Sequence, residues 1–240
     1  KDYILEIGPG IGTLTEELAL NAKKVVSVEL DKSLFPILDE TLKDYDNIDI
    51  IHGDILNLNI QRLIDEKLGG GPIKVVANLP YYITTPIISK LIEDGLNIDS
   101  IIIMIQKEVA DRMVSPPGSK QYGSLSVFVN FYTNSKILMT VPKTVFMPQP
   151  KVNSAIVELK PKKDLPEVDK IMFFNVVKAA FGKRRKTILN SLYNSQLGLE
   201  KETIKRALEK SQIPLGERAE NLKIEDFIEI SKILTSLDIY

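Results

Sequence analysis

Tyr3-Ile4-Leu5-Glu6-Ile7-Gly8-Pro9-Gly10-Ile11-Gly12 decides how the rest of the chain is read. Its first five residues make a short strand, its glycines a tight turn, and Thr13 to Ala22 continues as a helix. Strand, glycine-rich turn and helix together form a cradle. Glycines let a ligand approach the main chain closely, and helix N–H groups face it. Thr13, with Glu16 three residues on, resembles a capping box. The spacing is Glu-x-Gly-x-Gly-x-Gly; a dinucleotide fingerprint would need its third glycine at position 13, where threonine stands.

Working outward, Val25-Val26-Ser27-Val28-Glu29-Leu30 is the next strand. Glu29 falls at its C-terminal end, where doubly wound folds place an acid that accepts from ribose hydroxyls. A helix over 31–45 leads to the strand Ile48–His52, which closes on Gly53-Asp54. Asp54 sits on the same rim and can accept from an adenine amino group; Asp31 and Asp54 are also placed to cap helical turns. After Gly69-Gly70-Gly71-Pro72 the apolar run Ile73–Ala77 is a buried strand ending in Asn78-Leu79-Pro80-Tyr81. A helix over 84–93, a strand over 100–106 and a helix over 107–114 follow. This alternation predicts a parallel sheet covered on both faces, with ligands at the carboxyl ends of its strands. Gly8, Glu29, Asp54 and Asn78 all fall at those ends.

Asn78-Leu79-Pro80-Tyr81 has a chemistry of its own. Pro80 lacks an N–H and fixes its own φ, so the turn is stiff and the Leu79 carbonyl must find a partner elsewhere. The Asn78 oxygen and that carbonyl can together accept both hydrogens of a planar exocyclic amine. Tyr81 can stack on the ring that carries the amine. Such a group suits a base held out of its stack while its amino group reacts. A plain strand end with a packing tyrosine stays open as the alternative.

Past a loop over 115–123, residues 124–132 and 154–159 read as two more strands. Between them, Phe146-Met147-Pro148-Gln149-Pro150-Lys151 is a stiff segment holding an aromatic ring outward. Lys160 to Pro166 marks a domain boundary, giving domains over 1–160 and 161–240. Beyond it the pattern is helical: 167–181, 183–195, 200–210 and 224–236. The 240 residues include no cysteine and a single histidine, His52, so thiolate chemistry and cysteine-held metals are excluded. His52 reads as a strand-end residue, and no metal site is expected. The net charge is −1, yet residues 161–240 hold 15 basic against 12 acidic residues. Lys170, Lys178, Lys183, Arg184, Arg185 and Lys186 follow Asp169 with no acid before Glu200. Such a run suits phosphate contacts. No apolar stretch approaches the ~20 residues of a membrane span.

These segments together resemble the ribosomal RNA adenine N6-dimethyltransferase family along nearly the whole chain. The likeness is carried by Glu6 to Thr15, Glu29, Gly53-Asp54, Asn78 to Ile83, Gln106 to Ala110, Tyr122 to Ser126, Phe146 to Ser154 and Phe181 to Thr187. The Phe-Gly-Lys-Arg-Arg-Lys segment and Arg218 to Leu222 resemble the small-subunit branch. The resemblance implies a Rossmann-like α/β fold, a seven-stranded S-adenosylmethionine-dependent methyltransferase sheet with a small all-helical C-terminal domain. It implies S-adenosylmethionine as methyl donor and two adjacent adenosines near the 3′ end of small-subunit rRNA, within an immature subunit, as target. Gly8, Gly10, Gly12, Glu29, Asp54 and Asn78 would hold the cofactor, with Asn78, Leu79, Pro80 and Tyr81 at the reacting amine. Tyr81 and Phe146 would stack on the target base, and Lys183, Arg184, Arg185 and Lys186 would meet RNA. A cytoplasmic monomer coupled to ribosome assembly is expected. Two alternatives share the residues: a large-subunit enzyme of the macrolide-resistance type, and a non-catalytic assembly or transcription factor. Family members also carry an N-terminal Gln-Asn-Phe-Leu-like stretch bordering the pocket, which would lie before Lys1. A chain of residues 1–240 is therefore expected to fold but to methylate slowly. Asn153 stands where many members have aspartate.

Overall fold

A computed structural model describes residues 2–79 and 83–237. The chain divides into two compact units, Lys1–Ala110 with Asn134–Pro161, and Asp111–Thr133 with Lys162–Tyr240. The sequence places a division after residue 160; the compact units change after Ala110, Thr133 and Pro161, so residues 111–133 group with the C-terminal helices.

The first unit is built on a seven-stranded sheet in the order β3-β2-β1-β4-β5-β7-β6. In chain order its strands are β1 (Tyr3–Ile7), β2 (Lys24–Glu29), β3 (Ile48–His52), β4 (Ile73–Asn78), β5 (Ile98–Gln106), β6 (Thr133–Val141) and β7 (Ser154–Pro161). β1 pairs in parallel with β2 and β4, β2 with β3 and β4 with β5, while β5 pairs antiparallel with β7. The crossovers carry α1 (Thr13–Asn21), α2 (Phe35–Thr41), α3 (Ile60–Lys67) and α4 (Thr84–Glu93). Strands covered on both faces lose the polar alternation of a surface strand. Accordingly Leu5, Val25, Val26, Val75, Ile101 and Ile103 are completely buried. Strand order reverses between β1 and β4, and the crevice at such a switch point is where open α/β sheets bind ligands.

The helical elements in chain order continue with α5 (Lys107–Val114), α6 (Ser124–Tyr132), α7 (Lys170–Phe181), α8 (Ile188–Tyr193), α9 (Lys201–Lys210) and α10 (Ile224–Leu237). The second unit packs around Phe131, Phe173 and Phe227, all fully buried, with the Phe131 and Phe173 rings 4.7 Å apart. Tyr122 stands edge-on to Phe181 at 5.7 Å, and burial holds its hydroxyl pKa far above the usual phenol range. Asp169 caps α7, its carboxylate accepting from the N–H groups of Ile171 and Met172.

Two expectations need correction. Residues 124–132 form the helix α6, not a strand. Gly123 N–H donates to Ser126 Oγ at 3.1 Å, and Ser126 in turn donates to the Arg112 carbonyl, which fixes a helical start. Ser126, Val127, Val129, Phe131 and Tyr132 are all buried, so the segment is apolar around its circumference and shows no clear period. The seventh strand is instead β6, which follows α6 directly. Helix α8 likewise starts at Ile188, capped by Thr187 whose hydroxyl accepts from Asn190 N–H, so the basic run is a turn rather than part of a 183–195 helix. Among the described residues, no helix is long and apolar enough to cross a membrane.

Candidate active site

The carboxyl ends of β1, β2, β3 and β4 bring Gly8, Glu29, Asp54 and Asn78 to one rim. Gly8 and Gly10 have φ of +72° and +61°, the left-handed region that favours glycine. A Cβ added to either would meet nothing within 4 Å. Both therefore face open space, as a backbone cradle for a ligand requires. Gly12 differs. Its φ is +94°, and a Cβ there would stand 3.2 Å from Thr41 and 3.3 Å from Leu38 on α2. It lets α1 start close to α2, and its N–H donates to the Pro9 carbonyl at 3.0 Å. It is also the N-cap of α1, with Thr13 the first helical residue and no side-chain cap bond, so the expected capping box does not form.

Glu29 is 7% exposed, and its carboxylate is already oriented. Oε1 accepts from Asp31 N–H at 2.8 Å and Oε2 from Gly10 N–H at 3.3 Å. Asp54 is half-buried; its Oδ1 accepts from Leu56 N–H at 3.0 Å and its Oδ2 from the Asn57 amide at 2.7 Å. The turn-capping alternative for Asp54 thus holds, and it leaves each oxygen a further lone pair for a ligand.

A cleft of about 110 Å³ lies between these acids, walled by Val28, Leu30, Ile55 and Leu79. It adjoins a wider one of about 860 Å³ that reaches Pro9, Gly10, Asn78 and Met104; Gly8 and Glu29 line both. The small cleft is a slot with apolar sides and acceptor groups at its ends. That is the chemistry a nucleoside asks for: a flat ring between aliphatic walls, an amine and hydroxyls donating to carboxylates. The residues present therefore fit the adenosyl part of S-adenosylmethionine. Asn78, exposed at the end of β4, faces the wider cleft. Leu79 is 3% exposed and closes the small one. Pro80 and Tyr81 lie outside the described residues.

The sequence pattern assigned no role to Glu6, and the structure gives it one. It is 1% exposed within β1, and its Oε2 accepts from Thr15 Oγ1 at 2.8 Å and Ser27 Oγ at 2.6 Å, tying β1 to α1 and β2. Its Oε1 is buried without a partner among the described residues. Burial pushes the carboxyl pKa above its ordinary value against the pull of the two hydroxyls, and the neighbouring Glu29 charge raises it further. A glutamate inside an otherwise apolar strand is the signal that marks it.

Other sequence candidates fall elsewhere. Phe146 is half-buried just after the turn Lys143–Val145 and lines neither cleft. Asn153 anchors that turn, its Oδ1 accepting from Lys143 N–H at 3.0 Å while its carbonyl accepts from Lys107 N–H at 2.9 Å. The neutral amide suffices for this contact where an aspartate would add charge. His52 Nε2 lies 3.2 Å from the Leu30 carbonyl, a strand-end role. Among the described residues no group of three or more His, Cys, Asp or Glu is placed to hold a metal ion.

In the second unit, Lys183, Arg184, Arg185 and Lys186 are all exposed in the turn between α7 and α8. Arg184 is not free: its Nε lies 3.3 Å from Glu220 Oε2, and it donates to the Lys120 carbonyl. The other three make no ion pair among the described residues.

Known proteins resemble the chain along nearly its whole length. The family model described as ribosomal RNA adenine dimethylase matches residues 1–236. A ribosomal RNA small subunit methyltransferase A from Bacillus licheniformis is 52% identical over 234 residues, 95% of this chain and 80% of that protein. The protein of the same name from Alkaliphilus metalliredigens is 48% identical over 96% of this chain and 81% of its own length. Among solved structures, a dimethyladenosine transferase from Plasmodium falciparum superposes with a TM-score of 0.77 at 27% identity, covering 96% of this chain and 88% of that one. The 23S rRNA methyltransferase ErmE gives 0.70 at 25% identity, over 98% and 91%.

Proposed function

The chain belongs to the ribosomal RNA adenine dimethylase family, and we propose that its β1–β4 rim holds S-adenosylmethionine beside the amino group of an extruded adenine. The protein is an S-adenosylmethionine-dependent methyltransferase that dimethylates adenine N6 in small-subunit rRNA. The observation that carries the site assignment is the pair of adjoining clefts sharing Gly8 and Glu29, one ending at Asp54 and the other reaching Asn78. A donor held along the first would rest on Gly8 and Glu29, which also line the second.

When bound, S-adenosylmethionine supplies a methyl group already activated by its sulfonium. The protein's task is to present the target amine. Adenine N6 is a poor nucleophile because its lone pair is conjugated into the ring. The Asn78 side-chain oxygen and the Leu79 carbonyl accept its two hydrogens and turn the lone pair toward the donor. Positioning of this kind contributes several kcal/mol to a barrier. Glu29 would accept from the ribose hydroxyls and Asp54 from the cofactor's adenine amine, and the Gly8 and Gly10 backbone would hold the methionine side. Tyr81 would stack on the target base at ~1–3 kcal/mol per base, whereas Phe146, which lines neither cleft, is given no part in it. Lys183, Arg185 and Lys186 contact phosphates and set register without reading sequence. No side chain is required as base, since the proton can leave to solvent from an amine already methylated. The reading extends to immature small subunits as substrate, a cytoplasmic setting and a monomeric enzyme.

The large-subunit reading is the weaker one: its likeness is at 25% identity, against about 50% for the small-subunit relatives. The test is incubation with labelled S-adenosylmethionine and immature small subunits, followed by mapping of the modified nucleotides. Wild type should modify adenines near the 3′ end, and Asn78→Ala should stay folded and bind cofactor without turnover. An active Asn78→Ala enzyme, or label confined to large-subunit RNA, would overturn the proposal.

A further inference from the structure

The second unit contains a groove that the methyl-transfer site does not use. It runs between α7 and α8 and the turn after α8, encloses about 610 Å³, and has no carboxylate in its lining. Its floor includes the half-buried Met172, Ala179 and Leu197, and its sides carry Asn175, Lys178, Lys183, Asn194 and Gln196. The Asn175 and Gln196 amides are exposed and make no hydrogen bond among the described residues. Asn194 donates to the Asn190 carbonyl at 2.8 Å, which fixes its plane and leaves its oxygen toward other partners. Lys178 and Lys183 are exposed without an ion pair among the described residues, and no acid occurs in sequence between Asp169 and Glu200.

We propose that this groove is a subsite for an unpaired RNA nucleotide, gripping its base on the apolar floor, the base edge with Asn175 and Gln196, and its phosphate with Lys178. The inference rests on the reading of the protein as an rRNA-binding enzyme and adds a second, base-contacting point of attachment. Three features single out RNA. A side-chain amide offers a donor and an acceptor side by side, which matches a base edge. An apolar floor takes the face of any base, and unstacked bases are what proteins read in RNA. Ammonium groups with no carboxylate nearby are attracted to phosphates, and the acid-free stretch leaves them uncompensated. The volume lies within the range of small-ligand pockets, so the groove accepts one nucleotide or two, not a duplex.

The test measures fluorescence anisotropy of labelled ten-nucleotide rA, rC and rU strands, a ten-base-pair RNA duplex and a ten-residue glutamate peptide. The proteins are the full chain as wild type, Lys178→Ala, Asn175→Ala and Gln196→Ala. Lys178→Ala should weaken single-strand binding about 3- to 10-fold and flatten its salt dependence by the share of roughly one phosphate. The two amide variants should weaken binding about 3- to 10-fold at unchanged salt slope, and alter the ranking of the three strands. Duplex binding should move with Lys178 alone. The proposal is overturned if wild type binds none of the single strands at low salt, or if all three variants bind them as wild type does. It is equally overturned if the amide variants lose the glutamate peptide and not RNA, which would make the groove an acidic-peptide site. Binding of S-adenosylhomocysteine and slow methylation of immature subunits by wild type are followed in parallel: either one, with unaltered variant binding to RNA, sinks the groove alone, whereas loss of both sinks the enzymatic reading.

Discussion

Replacing Glu29 by glutamine is the sharpest probe of the cofactor site, because the change preserves shape while exchanging one acceptor oxygen for a donor and removing the charge. The carboxylate now takes Asp31 N–H at 2.8 Å on one oxygen and Gly10 N–H at 3.3 Å on the other. A glutamine has one acceptor oxygen, and the shorter contact to Asp31 claims it. Its amino group then faces Gly10 N–H, donor against donor, and one ribose hydroxyl loses its acceptor. A hydrogen bond to a charged group is worth about 1.5–3 kcal/mol, so affinity should fall about 10- to 150-fold. Leaving Gly10 N–H unpaired should cost about 1–3 kcal/mol of stability, enough to lower the unfolding midpoint and not to abolish folding. Calorimetric titration with S-adenosylhomocysteine, together with denaturant unfolding of the free protein, separates the two losses. Glu29→Gln with wild-type affinity and reduced stability would refute the ribose role and leave Glu29 as a strut of the glycine loop.

Glu6 makes stability depend on pH with a defined sign. Burial raises its pKa above the ordinary 4.5, so between that value and the folded pKa the native state binds more protons than the unfolded chain. Its contribution is therefore greatest below about pH 4.5 and declines as pH rises through the window. The lowered carboxyls Asp2, Asp31, Glu158 and Glu217 contribute the opposite slope, so the measurement is the stability difference between Glu6→Gln and wild type, which should grow in favour of the variant with rising pH. A difference that stays constant from about pH 4 to about pH 8 refutes it. Gly12→Ala should cost roughly 2–5 kcal/mol from left-handed strain and crowding against α2, whereas Gly10→Ala should chiefly weaken S-adenosylhomocysteine; equal thermal shifts with equal affinities would remove the distinction. Arg185→Ala should flatten the salt dependence of RNA binding by about 0.7–0.9 in slope for each phosphate it no longer neutralises, and Arg184→Ala should act more on thermal stability because it breaks the ion pair with Glu220. A larger change in salt slope for Arg184→Ala would reverse that assignment.

What was legible in the sequence was whatever a local pattern determines. Glu29 and Asp54 stand at the ends of apolar strands next to glycine or a helix start, and such positions fix the rim without knowledge of distant partners. Residues 124–132 could not be read in the same way. Ser-Leu-Ser-Val-Phe-Val-Asn-Phe-Tyr has the β-branched and aromatic content of a strand, and only the bond from Ser126 to the Arg112 carbonyl and burial on all sides make it helical. The strand β6 hid for the converse reason. Thr133-Asn134-Ser135-Lys136 looks like a loop, and the strand lies at the sheet edge with much of its length exposed. The restraint on Arg184 was equally out of reach, since Glu220 lies 36 residues on. Nor does Gly12 announce that a side chain at its position would press on α2.

The ligand class follows from a detail of charge that spacing alone does not give. In a glycine loop built for a pyrophosphate, the backbone N–H groups must point at an anion. Here Gly10 N–H donates to the Glu29 carboxylate, so that donor is already spent on a negative group of the protein itself. Glu29 then presents its remaining lone pairs to the clefts it lines, with the half-buried Asp54 across the smaller one. A phosphate entering that slot would meet acceptors and like charge; hydroxyls, an amine and a cationic centre would meet partners already in place. Because the chain's own amides hold both carboxylates, little ordering remains for binding to impose. A cationic nucleoside is the ligand this rim is prepared for, and S-adenosylmethionine, whose sulfonium carries that charge, is a ligand of this kind.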